Sequence, residues 1–289
     1  MKSKTTTENA AATTTVPTET ADASAEVSAK TITDAIVLAG GDGSIIDPQI
    51  SAKGLVQVAG KPMVQWVLEA LRKANSIRQI AVVLPPGQDI SSWQHLTDHI
   101  AYSGGQISEN VAAGLDVLSQ NDLPQSDLII GVTSDIPTVS PEAIDDLVAQ
   151  TVERRAELSY PIVPEAVMLA AYPDAQRTFI KIRDGKVTGG NAVLFDPRHF
   201  QTLRDFAQGL FDARKSPLKL ANTAGLKFVL KVATGRLNVR DAEDRLKQLI
   251  GVESAAIYSN YASIGADVDK PADVAVAEAK LAANQEFLQ

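Results

Sequence analysis

The chain has 289 residues, 45% hydrophobic and 21% charged, which suits a protein with a sizeable core. Lys and Arg total 27 against 35 Asp and Glu, a formal net charge of −8; a general nucleic-acid binder needs basic surface to displace counterions, so that class is disfavoured. With no cysteine, disulfide frameworks, Cys-ligated zinc, thiol catalysis and iron–sulfur clusters are excluded.

Residues 1–31 are almost wholly Thr, Ala, Ser, Glu and Lys, without an aromatic residue. Such a segment buries too little apolar surface to offset its ordering entropy and reads as a disordered tail. Lys2 and Lys4 are followed by no hydrophobic stretch, and no apolar run approaches the roughly 18 residues that span a bilayer, so a cytoplasmic protein is expected. Residues 32–289 read as one domain, with no internal repeat and no further linker.

The first ordered element is a buried strand, Ala35-Ile36-Val37-Leu38-Ala39, entering the glycine-rich loop Gly40-Gly41-Asp42-Gly43. Pro62 opens a helix in which Met63, Val64, Val67, Leu68 and Leu71 form one apolar stripe. A second buried strand, Ile80 to Leu84, stops at Pro85-Pro86. His95 and His99 stand at helical i, i+4 spacing without the Glu of a metalloprotease motif, and read as a solvated helix face. Ser108 is placed to cap a helix carrying Val111, Leu115 and Leu118. A third buried strand, Leu128 to Val132, ends at Ser134-Asp135, and Ser140-Pro141-Glu142 starts the next helix. Later strands are predicted at Val167–Ala171, Ala192–Phe195 and Ala255–Tyr258, a helical insertion at 197–250, and a last helix from Pro271.

Strand alternating with helix in this way predicts a three-layer α/β/α architecture around a mostly parallel, Rossmann-like sheet, with an extra helical region towards the C-terminus. Ligands of such sheets sit beyond the carboxyl ends of the strands, where Gly40, Gly41 and Gly43 lie. Glycines there let backbone N–H groups approach phosphate oxygens, although a tight turn without a ligand explains them equally well. A dinucleotide fingerprint fails at Ile46, where the third glycine is missing, and no Lys-Ser or Lys-Thr pair follows the glycines to complete a Walker loop.

Three blocks in order over a short stretch, Leu38-Ala39-Gly40-Gly41-Asp42-Gly43-Ser44, Lys53-Gly54-Leu55 and Gly60-Lys61-Pro62-Met63-Val64, resemble the opening of the nucleotidyltransferases. That family includes the molybdenum-cofactor guanylyl- and cytidylyltransferases and the sugar-1-phosphate nucleotidyltransferases. The resemblance continues through Gly104-Gly105, Val111-Ala112-Ala113-Gly114-Leu115, Ser134-Asp135-Ile136-Pro137, Thr188-Gly189-Gly190-Asn191 and Asp267-Val268-Asp269-Lys270-Pro271-Ala272-Asp273. It implies transfer of a nucleoside monophosphate from a nucleoside triphosphate to a phosphorylated acceptor, with release of pyrophosphate. The loop from Leu38 and Ala39 to Gly43 would hold the triphosphate, and Lys53 would bind phosphate oxygens at the reacting centre. Asp135 and Asp269, with Asp267 close by, would hold Mg²⁺, which favours one or two protein carboxylates beside substrate phosphates. Asn110 would lie near the base, where helix capping is the plainer reading, and Gly190-Asn191 would face the acceptor.

Three departures bear on activity. Ile45 stands where relatives commonly place Arg, Gly54 where they place Pro, which is expected to loosen that loop, and Gln106, Ile107 and Ser108 are neutral where a basic side chain is common. A catalytically impaired nucleotide-binding or regulatory module on the same fold is therefore the alternative reading, and Lys61 is the cation placed to compensate. A glycosyltransferase would need an Asp-x-Asp where Ser134-Asp135-Ile136 stands. Residues 214–236 carry six basic residues and no acidic one; a packed helix with a solvated basic face is preferred there over contact with an anionic membrane.

Overall fold

The structure is a computed structural model and describes residues 33–120, 123, 126–174, 177–213 and 225–286. The reading of 1–31 as a tail and the 214–224 part of the basic stretch lie outside the described residues.

The elements follow in the order β1 (Thr33–Leu38), β2 (Gln57–Val58), β3 (Lys61–Pro62), α1 (Met63–Lys73), β4 (Ile77–Leu84), β5 (His99–Tyr102), α2 (Ile107–Leu118), β6 (Ile129–Thr133), α3 (Pro141–Glu153) and β7 (Leu158–Pro164). Then come α4 (Glu165–Ala171), β8 (Ile180–Ile182), β9 (Gly185–Gly189), β10 (Ala192–Phe195), α5 (Phe200–Ala213), α6 (Leu226–Ala233), α7 (Val239–Ile250), β11 (Ser254–Tyr258) and α8 (Pro271–Glu286). No helix among the described residues is long and apolar enough to cross a membrane.

Nine strands form one mixed sheet in the order β5-β4-β1-β6-β10-β7-β9-β8, with β11 also paired to β7. β5, β4, β1 and β6 are parallel neighbours; β10, β9 and β8 join in antiparallel fashion, and β11 is parallel to β7. β1 is buried on both faces, as its unbroken apolar run requires. Ala35 and Val37 pack with Val64, Val67 and Leu68 of α1 and Ile144 and Leu147 of α3 on one side. Ile36 packs with Leu118, Phe195 and Leu115 on the other, so helices cover both faces and three layers result. α2 lies close enough that a Cβ at Gly114 would come within 2.6 Å of Ile36. A smaller cluster seats α8 on the β2–β3 hairpin through Val58, Met63, Val268, Ala277 and Leu281.

Several local expectations are corrected. Val167–Ala171 is not a strand: it falls in α4, and the strand is β7 immediately before it, whose alternating burial was hidden by Pro161 and Pro164. His95 sits in a short 3-10 turn and His99 begins β5, so the pair shares no helix face; Thr97 breaks the run by donating its hydroxyl to the carbonyls of Ile80 and His99 at 2.8 Å. Ser108 does not cap α2. The helix starts two residues earlier, at Ile107 with Gln106 as its cap, and the N–H of Gln106 donates to Glu109 Oε2 at 2.9 Å.

Candidate active site

β1 ends at Leu38, and the loop after it doubles back. Lys53 N–H donates to Gly41 O at 3.1 Å and Gly43 N–H to Ser51 O at 3.3 Å, bridging residue 42 to residue 52. Gly41 adopts φ +83°, the left-handed region that favours glycine. Gly43 lacks the Cβ that would meet Ile50 O at 2.8 Å. The N–H groups of Gly40, Gly41 and Asp42 donate to nothing among the described residues, whereas Gly43 spends its own on the loop. Together with Ser44, Pro85, Gly104 and Gly105, this loop borders an open cleft of 540 Å³. Ala39 is buried beneath it, and Leu38 ends β1 beside Val83 and Thr133.

The loop's return delivers Lys53 to the carboxyl edge of the sheet. Its ammonium lies 2.5 Å from Asp135 Oδ2 and also bonds Asp269 Oδ1. Burial lowers the lysine pKa, but Asp135 and Asp269 outweigh it and hold the group above its usual value. Asp135 follows β6 and takes a hydrogen bond from Thr133 Oγ1 at 2.5 Å. Its carbonyl accepts from Val268 N–H at 2.9 Å, which draws the Asp267–Asp269 segment against it. One carboxylate oxygen from each of Asp135, Asp267 and Asp269 lies within 4.8 Å of the others. Asp273, at the start of α8, accepts from the N–H groups of Asp269 and Lys270 at 2.9 Å and fixes that backbone.

Gly54 does not loosen the loop. It is buried in the short 3-10 turn Lys53–Leu55, where a Cβ would stand 2.5 Å from Ser134 Oγ and 3.2 Å from Ala39 Cβ. The expectation drawn from the missing Pro is therefore overturned: close packing against the strand ends holds the turn. Lys61 is committed elsewhere. Its ammonium bonds Glu69 at 2.7 and 2.9 Å and stands 4.2 Å above the Trp66 ring, so it does not stand in for the absent Arg. Ile45 is 68% exposed on a loop whose charged residues are Asp42 and Asp47. Asn110 is in the first turn of α2 without capping it. Its Nδ2 donates to Gly105 O at 3.4 Å and lies 3.9 Å from where a Cβ on Gly40 would be, while its Oδ1 is buried with no partner.

Across β6, the Gly189–Asn191 turn occupies the same edge. Asn191 O accepts from Thr133 N–H at 3.1 Å and Asn191 N–H donates to Ile264 O at 2.8 Å. A Cβ at Gly189 would collide with Tyr160 Oη at 2.2 Å, and Gly190 lies against Pro161 and Ile264. Here stands a residue that carries no sequence signal: Arg177, whose guanidinium forms an ion pair with Asp267. Burial raises the Asp267 pKa, Arg177 pulls it down, Asp269 and Asp135 push it up again, and the net direction is upward. Asp269, where burial is outweighed by the Lys53 bond, is held below the usual carboxylate value. A larger cavity of 720 Å³, bordered by Arg154, Arg183, Glu243 and Lys247, shares no residue with this site, and its Arg154–Glu243 and Lys247–Glu253 charges pair with each other.

A glycine loop with free amides, a lysine and converging aspartates at the carboxyl edge of a three-layer α/β/α sheet define a nucleotidyltransferase class of protein. The chain belongs to the MobA-like NTP transferase domain family, whose model matches residues 35–219. A solved structure from Thermus thermophilus described as a hypothetical transferase superposes with a TM-score of 0.72 at 32% identity, covering 84% of this chain and 99% of that one. The 8-amino-3,8-dideoxy-manno-octulosonate cytidylyltransferase of Shewanella halifaxensis is 23% identical over 248 residues, 80% of this chain and 92% of that protein. The 2-C-methyl-D-erythritol 4-phosphate cytidylyltransferase of Bifidobacterium longum is 31% identical over 119 residues, 38% of this chain and 40% of that protein.

Proposed function

We propose that the chain is a Mg²⁺-dependent nucleotidyltransferase that moves a nucleoside monophosphate from a nucleoside triphosphate to a phosphorylated small-molecule acceptor. The observation that carries this reading is the meeting of Lys53 with Asp135 and Asp269 at the sheet edge beside unpaired loop amides. An acceptor phosphate oxygen attacks the α-phosphorus, the bond to the bridging oxygen breaks, and pyrophosphate leaves. Positioning and charge neutralisation supply most of the acceleration of such a displacement. Amides of Gly40 and Gly41 and the Lys53 ammonium bind the triphosphate, Asn110 faces the base, and Gly190 and Asn191 border the acceptor. The donor set fits the metal: Asp135, Asp267 and Asp269 offer hard oxygen ligands in one cluster, as Mg²⁺ prefers. When bound there, the ion would neutralise charge on the phosphates. CTP is the first nucleotide to test, because two of the relatives named above are cytidylyltransferases.

The test is pyrophosphate release from CTP, UTP, GTP and ATP against a panel of sugar phosphates and sugar acids. Folded protein that releases none with any pair sinks the reading. One observation favours a second function, nucleotide binding without turnover: exposed Ile45 leaves the loop without a cation of its own. Calorimetry showing nucleotide binding and no product distinguishes the two.

A further inference from the structure

The geometry points to Arg177, with the hydroxyl of Tyr160 and the amide of Asn191, as the receptor for an oxyanion carried by the acceptor. The inference rests on the nucleotidyl-transfer reading of the site and assigns the acceptor's binding group.

The sheet itself separates two halves. β1, β4 and β5 bring the glycine loop and Gly104-Gly105 to one side of β6; β10, β7 and β9 lie on its other side. Asp135, at the end of β6, stands between them. The triphosphate cradle belongs to the first half, so an acceptor approaching from the opposite direction meets the second. That half presents three hydrogen-bond donors, two of which, on Arg177 and Tyr160, stand beside Asp267.

Arg177 is 18% exposed and uses Nη1 to hold Asp267, while its Nη2 is buried and bonded to nothing among the described residues. A guanidinium carries its donors in a planar fork that matches the paired oxygens of a carboxylate or phosphate, so a second edge left without a partner is an anion site prepared in advance. Asn191 shows the same pattern: its backbone is bonded to Thr133 and Ile264, but its Nδ2 is buried without a partner. Tyr160 lies across Gly189, near enough to Arg177 and Asp267 for both charges to act on its phenol. Gly189 is required there, since any side chain would displace that ring. Two orphaned donors and a phenol flanking a site otherwise rich in carboxylate are the groups that a negative charge would satisfy. A neutral acceptor would leave the buried guanidinium edge unsatisfied, which is how such a site rejects it.

The test titrates inorganic phosphate and gluconate, as phosphate and carboxylate probes, into wild type, Arg177→Met, Arg177→Lys and Tyr160→Phe. Each titration is run on free protein and with CTP and Mg²⁺ saturating. At least one anion is expected to bind wild type and to bind Arg177→Met about tenfold or more weakly, the loss of one charge-assisted contact. Arg177→Lys keeps the charge but not the fork and falls between; Tyr160→Phe loses affinity by a smaller factor. Affinity for CTP measured without Mg²⁺, so that the Asp267 carboxylate freed by Arg177→Met does not enter, is expected to stay within about twofold across the four proteins, since the triphosphate lies in the other half of the sheet. Whichever anion responds tells a phosphorylated acceptor from a sugar acid. Equal anion binding to wild type and Arg177→Met overturns the inference, as does no anion binding to wild type. Loss of CTP in step with the anions also overturns it, because Arg177 would then serve only to hold Asp267. If Arg177→Met does not fold, unchanged anion binding in both other variants has the same force. Failure of all four triphosphates to bind wild type removes the nucleotidyl-transfer reading, while the free-protein titrations still decide whether Arg177 takes an anion.

Discussion

Replacing Lys53 by Met separates the lysine's structural role in the free protein from its role with substrate. In the free site the ammonium bonds Asp135 and Asp269, and Asp267 is held by Arg177, so three carboxylates share two cations. Removing one partner of a buried ion pair costs about 3–5 kcal/mol because the remaining charge is stranded. Here Lys53 and Asp135 are 17% and 16% exposed and Asp269 is 56% exposed, so solvent screens part of the loss; about 1–3 kcal/mol is expected. For a chain of this size that lowers the thermal midpoint by about 2–4 °C per kcal/mol. Mg²⁺ should then stabilise Lys53→Met more than wild type, because no ammonium competes for the carboxylates, with a gain near 2.7 kcal/mol at about a hundredfold excess over the dissociation constant. The assay is thermal unfolding in chelator and across a Mg²⁺ series, with nucleotide turnover measured in parallel and expected to be lost at every Mg²⁺ concentration. A variant as stable as wild type in chelator would refute the electrostatic reasoning. An equal Mg²⁺ response in both proteins would refute the assignment of the carboxylates as the metal site.

Gly54→Ala places a Cβ 2.5 Å from Ser134 Oγ and 3.2 Å from Ala39 Cβ; overpacking of about 1–3 kcal/mol should appear in denaturant melts, and an unchanged midpoint would mean that Ser134 yields freely. Asp145 accepts from Asn75 N–H and Nδ2 and from Ser76 N–H and Oγ at 2.7–3.1 Å; burial raises its pKa, but the Ser76 and Asn75 bonds outweigh it and the net direction is downward. Its contribution is therefore full above the ordinary Asp value and declines as pH falls through the lower folded value. Asp145→Ala should cost about 2 kcal/mol at neutral pH, and the gap to wild type should narrow below about pH 4, as read from urea melts across pH. Ile45→Arg restores a cation at an exposed position, so stability should hold while triphosphate affinity rises about tenfold by calorimetry; no gain would show that the loop does not need it.

Much of the sheet from β5 to β6 was legible because its signals are local. An apolar run must be buried on both faces, a glycine loop must follow it, and Asp135 must stand where a buried strand ends; β1, β4 and β6 sit within a few residues of where periodicity places them. The sheet beyond β6 was harder to read. β7 carries two prolines, β8 and β9 form a short, half-exposed hairpin, and Val167–Ala171 has enough apolar residues to pass for a strand although its backbone is helical. For strands this short, propensity is weaker than the pairing that only neighbouring strands provide.

The sequence by itself determined the layered architecture and which residue types could serve phosphate chemistry, because both follow from hydrophobic periodicity and from residues fixed at strand ends. Tertiary structure alone decided which of those residues meet. It folds residues 40–53 back on themselves to bring Lys53 to Asp135, uses Val268 N–H to carry Asp267 and Asp269 across the chain, and seats Arg177 against Asp267. It also withdraws Lys61 into a pair with Glu69 and packs Gly54 against Ser134 and Ala39 where a looser loop was expected. The charge–charge partnerships of Lys53 span 82 and 216 residues of chain, and no local pattern encodes a contact whose energy depends on where another segment ends.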